Sequence, residues 1–121
     1  MDKSVSHVLV VDDNPDCAES LALLINMEGF SVATAGTLAE AKAAIRHRSP
    51  QLVFLDMTLP DGNGLELFQH TRDIPDLAIV MLTGSGNLHH DREARQFGAI
   101  EYLVKPAEPN RLLALLARLT C

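Results

Sequence analysis

The sequence predicts a doubly wound α/β domain: one five-stranded parallel sheet, strand order 2-1-3-4-5, with helices on both faces. Three observations carry that prediction. Five short apolar runs recur along the 121 residues, segments of helical period separate them, and capping and turn residues fall at the junctions.

The first run, His7–Val11, is near-continuous Val and Leu, as a parallel strand covered on both faces requires. Asn14-Pro15 follows as an N-cap with proline at the first helical position. The spacing predicts a helix from Asp16 to Met27, with Cys17, Leu21, Leu24 and Ile25 on one face and Gly29 able to end it. Phe30–Ala33 is the second strand. Thr37, with Glu40 three residues later, is a capping box opening a helix striped by Leu38, Ala41, Ala44 and Ile45. Leu52–Leu55 and Ala78–Leu82 are the third and fourth strands, again near-continuously apolar. Pro60-Asp61-Gly62 is a turn signal after the third. Gly98 marks the end of a fourth helix, and Ile100–Val104 is the fifth strand. Leu112, Leu113, Leu115, Leu116 and Leu119 stripe the last helix. Strands and helices in alternation give right-handed βαβ crossovers.

Composition fits one globular domain over residues 1–121, with 47% hydrophobic and 21% charged residues. A net charge of -6 argues against general nucleic-acid binding, and Arg46-His47-Arg48 reads as a solvated helix end favoured by the helix dipole. No apolar run reaches the ~20 residues of a membrane span. Met1-Asp2-Lys3-Ser4 lacks a signal-peptide layout, and Cys17 and Cys121 imply no disulfide framework, so the expected setting is the cytoplasm.

Doubly wound sheets bind ligands beyond the carboxyl ends of their strands. There the first strand leads into Asp12-Asp13, the third into Asp56, the fourth into Thr83 and the fifth into Lys105. Singly, each has a plain explanation: an aspartate after a strand makes a turn or caps a helix. Together they converge, because strands one, three, four and five are neighbours. Three carboxylates held together need compensating positive charge, which Lys105 and a hard divalent cation such as Mg²⁺ can supply. His89-His90 are adjacent, not at i, i+4, and offer no zinc pair. A carboxylate beside a metal, a hydroxyl and an ammonium suits phosphoryl transfer to the carboxylate. Gly62-Asn63-Gly64 lacks the lysine and Ser/Thr of a nucleotide-binding loop, so the phosphoryl group comes from an activated donor.

Four ordered motifs carry a resemblance to the receiver domain of bacterial two-component response regulators, a flavodoxin-like (βα)5 fold. They are Val8-Leu9-Val10-Val11-Asp12-Asp13, Leu55-Asp56-Met57-Thr58-Leu59-Pro60-Asp61-Gly62-Asn63-Gly64, Leu82-Thr83-Gly84 and Tyr102-Leu103-Val104-Lys105-Pro106. The resemblance implies a phosphorelay switch rather than a conventional enzyme, with self-phosphorylation and slow autodephosphorylation as its only chemistry. Asp56 would receive its phosphoryl group from a histidine kinase or histidine phosphotransfer protein. Asp12 and Asp13 would help bind Mg²⁺, Asp13 directly, with Asp56 and the backbone carbonyl of Thr58 completing the protein ligands. Lys105 would pair with the phosphoryl oxygens, next to a cis bond to Pro106. Thr83 and Tyr102 would relay the change to the face built from the fourth helix, fifth strand and fifth helix. Control of transcription through an output domain in cis, or of a partner protein, is the implied result. The leucine-rich 112–119 segment leaves open a phosphorylation-dependent homodimer or simply a larger core.

The chain departs from the family pattern at Gly84, where alanine is usual, and at Ala107, where phenylalanine is common. Gly86 and Asn87 with His89-His90-Asp91 make the start of the fourth helix polar. Thr58 and Ser85 lie where side chains can screen the phosphoryl group from water. Two other readings stay open: a cofactor-binding or hydrolytic module of the same fold class, and a receiver used only for constitutive docking. Asp12-Asp13-Asn14 would repel a flavin phosphate, and Thr58 stands where a phosphatase would want a second acid/base carboxylate. Two extents also stay open: a stand-alone regulator, or a fragment of a longer transcription factor or hybrid kinase.

Overall fold

The computed structural model describes residues 7–56, 58–64, 66–71, 74, 77–83, 101–104 and 108–120. Five parallel strands form the sheet: β1 (His7–Val11), β2 (Ser31–Ala35), β3 (Leu52–Asp56), β4 (Ala78–Thr83) and β5 (Glu101–Val104). Their spatial order is β2-β1-β3-β4-β5, the predicted doubly wound order. The helices are α1 (Pro15–Met27), α2 (Leu38–His47), α3 (Glu66–Thr71) and a last helix, Pro109–Thr120. No described helix is long and apolar enough to cross a membrane.

The period-2 alternation of strand side chains splits the core into two layers. Leu9 and Val11 of β1, Val53 and Leu55 of β3, and Ile79 and Met81 of β4 pack against Leu38, Ala41 and Ile45 of α2 and Leu67 and Phe68 of α3. Val8, Val10, Leu52, Phe54, Val80 and Leu82 face the other way. They meet Ala18, Leu21 and Ile25 of α1 and Leu112, Leu115 and Leu116 of the last helix. Near-continuous apolar strands are the consequence of burying both faces.

Local chemistry sets the boundaries. Asn14 caps α1 by accepting from the amides of Asp16 at 3.0 Å and Cys17 at 3.2 Å, and Pro15 occupies the first helical turn. Beyond α1, Gly29 takes φ 99°, the left-handed geometry that glycine tolerates. The expected apolar stripe of α1 holds at Leu21, Leu24 and Ile25, but in the first turn Cys17 is exposed and Ala18, three residues before Leu21, is buried in its place.

The second strand starts and ends later than its apolar run. Phe30 stays outside because its carbonyl accepts from Asn26 Nδ2 at 3.0 Å, while Thr34 and Ala35 are drawn in by pairing with Val10 and Val11. Likewise β3 and β4 extend to Asp56 and Thr83 because the ladder continues past the last apolar residue, pairing Asp56 with Leu82 and Thr83 with Val104. The fourth helix expected to end at Gly98 lies outside the described residues, as does Ile100.

Candidate functional site

The site forms at the carboxyl ends of β1 and β3, the two central strands beside the switch in strand order. Val11 pairs with Leu55, so the residues that follow, Asp12 and Asp13 on one side and Asp56 on the other, leave the sheet at the same level. One carboxylate oxygen from each of the three lies within 4.8 Å of the others. Asp12 is only 3% exposed, whereas Asp13 is open to solvent and Asp56 is partly buried.

Asp12 does two things at once. Its amide donates to Ala35 O at 2.9 Å, which holds the start of the β1–α1 connection against the end of β2. Its Oδ1 accepts from the Asn14 amide at 3.0 Å, a turn made by an aspartate side chain over its own backbone. The plain turn-making explanation is therefore correct for Asp12, and it does not remove the residue from the acidic cluster. That turn leaves Asp13 projecting at the edge. A cavity of about 210 Å³ opens beside Asp12 and Asp13, bounded also by Glu19, Gly36 and Glu40.

Hard oxygen donors, few in number and with Asp13 open to solvent, fit a cation that keeps part of its water shell. The trio is thus a cluster able to hold a metal ion. Buried Asp12 gives the physical reason to expect one, since like charges this close are stable together only when a positive charge compensates them.

The chain leaving Asp56 folds back as a two-residue hairpin. Thr58 pairs with Asn63 and Leu59 with Gly62 across the turn Pro60-Asp61. Gly62 sits at φ 150°, a backbone conformation that side chains rarely adopt, so conformation favours glycine there; a Cβ would also push aside the ends of the Glu66 and Leu38 side chains. Asp61, read from sequence as a turn residue only, also caps a helix 23 residues earlier in the chain. Its Oδ1 accepts from the Leu38 amide at 2.8 Å and its Oδ2 from the Ala39 amide at 3.0 Å. Those bonds, first to Leu38 and then to Ala39, hold its carboxyl below the usual range. Thr37 accepts from the Glu40 amide at 3.0 Å as the capping box predicts, but Glu40 Oε1 reaches back to Gly36 N and not to Thr37 N.

On the other side of Asp56, the ladder sets Thr83 one residue beyond Asp56's partner Leu82, opposite Val104, and sets Tyr102 opposite Met81. The backbone of these strands thus brings Thr83 and the residue before Lys105 to the same sheet edge as the carboxylates. Met57, Gly84, Ser85, Gly86, Asn87, His89, His90, Lys105, Pro106 and Ala107 lie outside the described residues.

Comparison with known proteins agrees with this geometry. The response regulator receiver domain family matches residues 8–117. The DNA-binding response regulator MtrA of Mycolicibacterium smegmatis is 37% identical over 94% of this chain and 50% of its own length. The photosynthetic apparatus regulatory protein RegA of Cereibacter sphaeroides is 40% identical over 92% of this chain and 61% of its own. The chain therefore spans only about half to three-fifths of these relatives. Among solved structures, the receiver domain of NtrX from Brucella abortus superposes with a TM-score of 0.85 at 35% identity, covering 93% of this chain and 97% of that one. A response regulator from Burkholderia pseudomallei, solved with a phosphorylated aspartic acid, calcium ion and citrate, gives a TM-score of 0.84 at 32% identity over 92% of this chain and 66% of its own. With the doubly wound order, the strand-end carboxylates and a family match across nearly the whole length, the chain belongs to the receiver domains of two-component response regulators.

Proposed function

We propose that Asp56 is the phosphoacceptor of this receiver and that Asp12, Asp13, Asp56 and the Thr58 backbone carbonyl hold a Mg²⁺ ion beside it. The observation that carries this is the meeting of three carboxylate oxygens within 4.8 Å at the end of β3. The related Burkholderia structure, which contains a phosphorylated aspartic acid and a calcium ion, supports an aspartate as the acceptor. A bound Mg²⁺ would supply positive charge to phosphoryl oxygens.

The phosphoryl donor is a phosphohistidine of a histidine kinase or a histidine phosphotransfer protein. A carboxylate oxygen of Asp56 attacks phosphorus, a P–O bond forms as the P–N bond breaks, and the electron pair returns to the donor imidazole. Asp12 holds the loop that presents Asp13, and Lys105 and the Thr83 hydroxyl meet the added charge. Thr83 and Tyr102 carry the change to the surface around β5 and the last helix. Chemistry of this domain is limited to taking the phosphoryl group and slowly losing it to water.

Residues 1–121 act as one receiver domain in the cytoplasm. It regulates transcription through an output domain in cis or acts on a partner protein, without touching nucleic acid or membrane itself. Phosphorylation-dependent pairing of two copies is part of the same reading. The DNA-binding name of the MtrA relative supports a transcriptional output.

The test is incubation with Mg²⁺ and acetyl phosphate, followed by intact mass. The chain should gain the mass of one phosphoryl group, stable to acid and lost in base, and Asp56→Asn should gain none. Equal labelling of the Asp56→Asn protein would show that another residue is the acceptor.

A further inference from the structure

The acidic site is built from two separate pieces of chain. Asp12 and Asp13 belong to the β1–α1 connection, which the Asp12 amide ties to Ala35 at the end of β2. Asp56 and Thr58 belong to the end of β3 and the hairpin beyond it. Gly36 and Thr37 run directly from Ala35 into α2, so the amino end of α2 moves with the first piece. The hairpin turn at Asp61 moves with the second.

We infer that Asp61 is a positioning residue: by gripping the first amides of α2, it fixes the Asp56–Thr58 piece of the site against the Asp12–Asp13 piece. The grip is bidentate, Oδ1 to Leu38 N at 2.8 Å and Oδ2 to Ala39 N at 3.0 Å. An ionised carboxylate accepting two amides at a helix amino end is a strong, directional contact. The neighbouring packing has the same sense. Leu59 is buried in the layer that contains Leu38, and Gly62 lies against the end of the Leu38 side chain. A two-residue turn between paired strands is too short to absorb movement, so a hairpin anchored at its tip holds Thr58 as well. Asp61 itself is exposed and is not one of the clustered carboxylates. Its effect is on the spacing of groups it does not touch.

This inference rests on the proposed metal and acceptor site, and its test separates the two. Mg²⁺ binding is measured calorimetrically, without phosphodonor, for the wild-type chain, Asp61→Ala, Asp61→Asn and Thr37→Ala. Asp61→Ala should weaken Mg²⁺ severalfold, less than the roughly ten- to hundredfold that follows loss of a group bonded directly to a metal ligand. Asp61→Asn keeps one acceptor oxygen and should fall between. Thr37→Ala removes a cap from the same helix but leaves the Asp61 grip, so its Mg²⁺ affinity should match wild type. In acetyl phosphate reactions the Mg²⁺ concentration for half-maximal rate should rise for Asp61→Ala by the same factor as the dissociation constant. The rate at saturating Mg²⁺ should stay at the wild-type value.

Wild-type Mg²⁺ affinity in Asp61→Ala, or an equal loss in Thr37→Ala, would overturn the positioning role. A wild-type chain that binds Mg²⁺ yet takes no phosphoryl group would sink the acceptor reading alone, and the calorimetry would still decide on Asp61.

Discussion

If the carboxylate cluster is held together against its own repulsion, removing one charge must stabilise the metal-free protein and destabilise the metal-bound one relative to wild type. Asp13→Asn is the informative change, because Asp13 is exposed and its amide isostere perturbs no packing. Two unit charges at the 4.8 Å limit of the cluster repel by about 3.5 kcal/mol at an effective dielectric of ~20, and by about 0.9 kcal/mol in bulk water. Exposure places Asp13 near the watery end of that range, so each of its two pairs contributes about 1 kcal/mol. Screening at ~0.1 M salt acts over about 10 Å and removes only part of it. Asp13→Asn should therefore unfold about 1–2 kcal/mol harder in EDTA, a shift of roughly 1 M in urea midpoint for a domain this size. Mg²⁺ at about 100 times its dissociation constant stabilises wild type by about 2.7 kcal/mol and should do much less for Asp13→Asn. The order of stabilities then reverses when EDTA is replaced by Mg²⁺ at matched ionic strength. Urea unfolding followed by circular dichroism reads both arms. An Asp13→Asn protein no more stable than wild type in EDTA, or stabilised by Mg²⁺ to the same degree, refutes the reasoning.

Two further outcomes concern the scaffold. Thr37→Ala removes the hydroxyl that accepts from the Glu40 amide and should cost about 1 kcal/mol, lowering the calorimetric Tm by roughly 3–5 °C. His7, buried at the opposite end of β1 and bonded to Ser31 Oγ at 3.1 Å, is held below its ordinary pKa first by burial and then by the Arg48 guanidinium. The folded chain resists a proton that the unfolded chain accepts, so His7's contribution is complete above about pH 6.5 and is lost as pH falls from there toward its folded pKa. Melting temperatures taken from pH 7.5 to 5.5 should drop more steeply for wild type than for His7→Gln; parallel profiles would remove His7 from that role.

The parts of this protein legible in its sequence are those fixed by local rules. The β1 run, the Asn14-Pro15 opening of α1 and the Thr37–Glu40 signal each name their own structure, because caps and buried strands depend on residues a few positions apart. Convergence of Asp12, Asp13 and Asp56 was legible at one remove, since the doubly wound order makes the strands bearing them neighbours. Boundaries were less so. Whether β2 stops at Ala33 or Ala35 depends on pairing with β1, which hydrophobicity along β2 does not encode.

The second role of Asp61 was hidden for a deeper reason. Pro-Asp-Gly is a sufficient explanation of an aspartate, and a turn is what it makes, so nothing local signals a second role. The second role depends on α2 having its first amides unsatisfied by its own backbone, as every helix must, and on the sheet order bringing a hairpin from after β3 alongside a helix from before it. Thr37 satisfies the Glu40 amide and leaves those of Leu38 and Ala39 to Asp61. A helix end with one local cap and one imported from another connection couples the two connections. One of them carries Asp56 and Thr58, and the other, between β2 and α2, is tied through Ala35 to the β1–α1 connection that carries Asp12 and Asp13. Long-range caps of this kind can be sought wherever an apparently complete turn motif faces a helix whose own cap reaches only one amide.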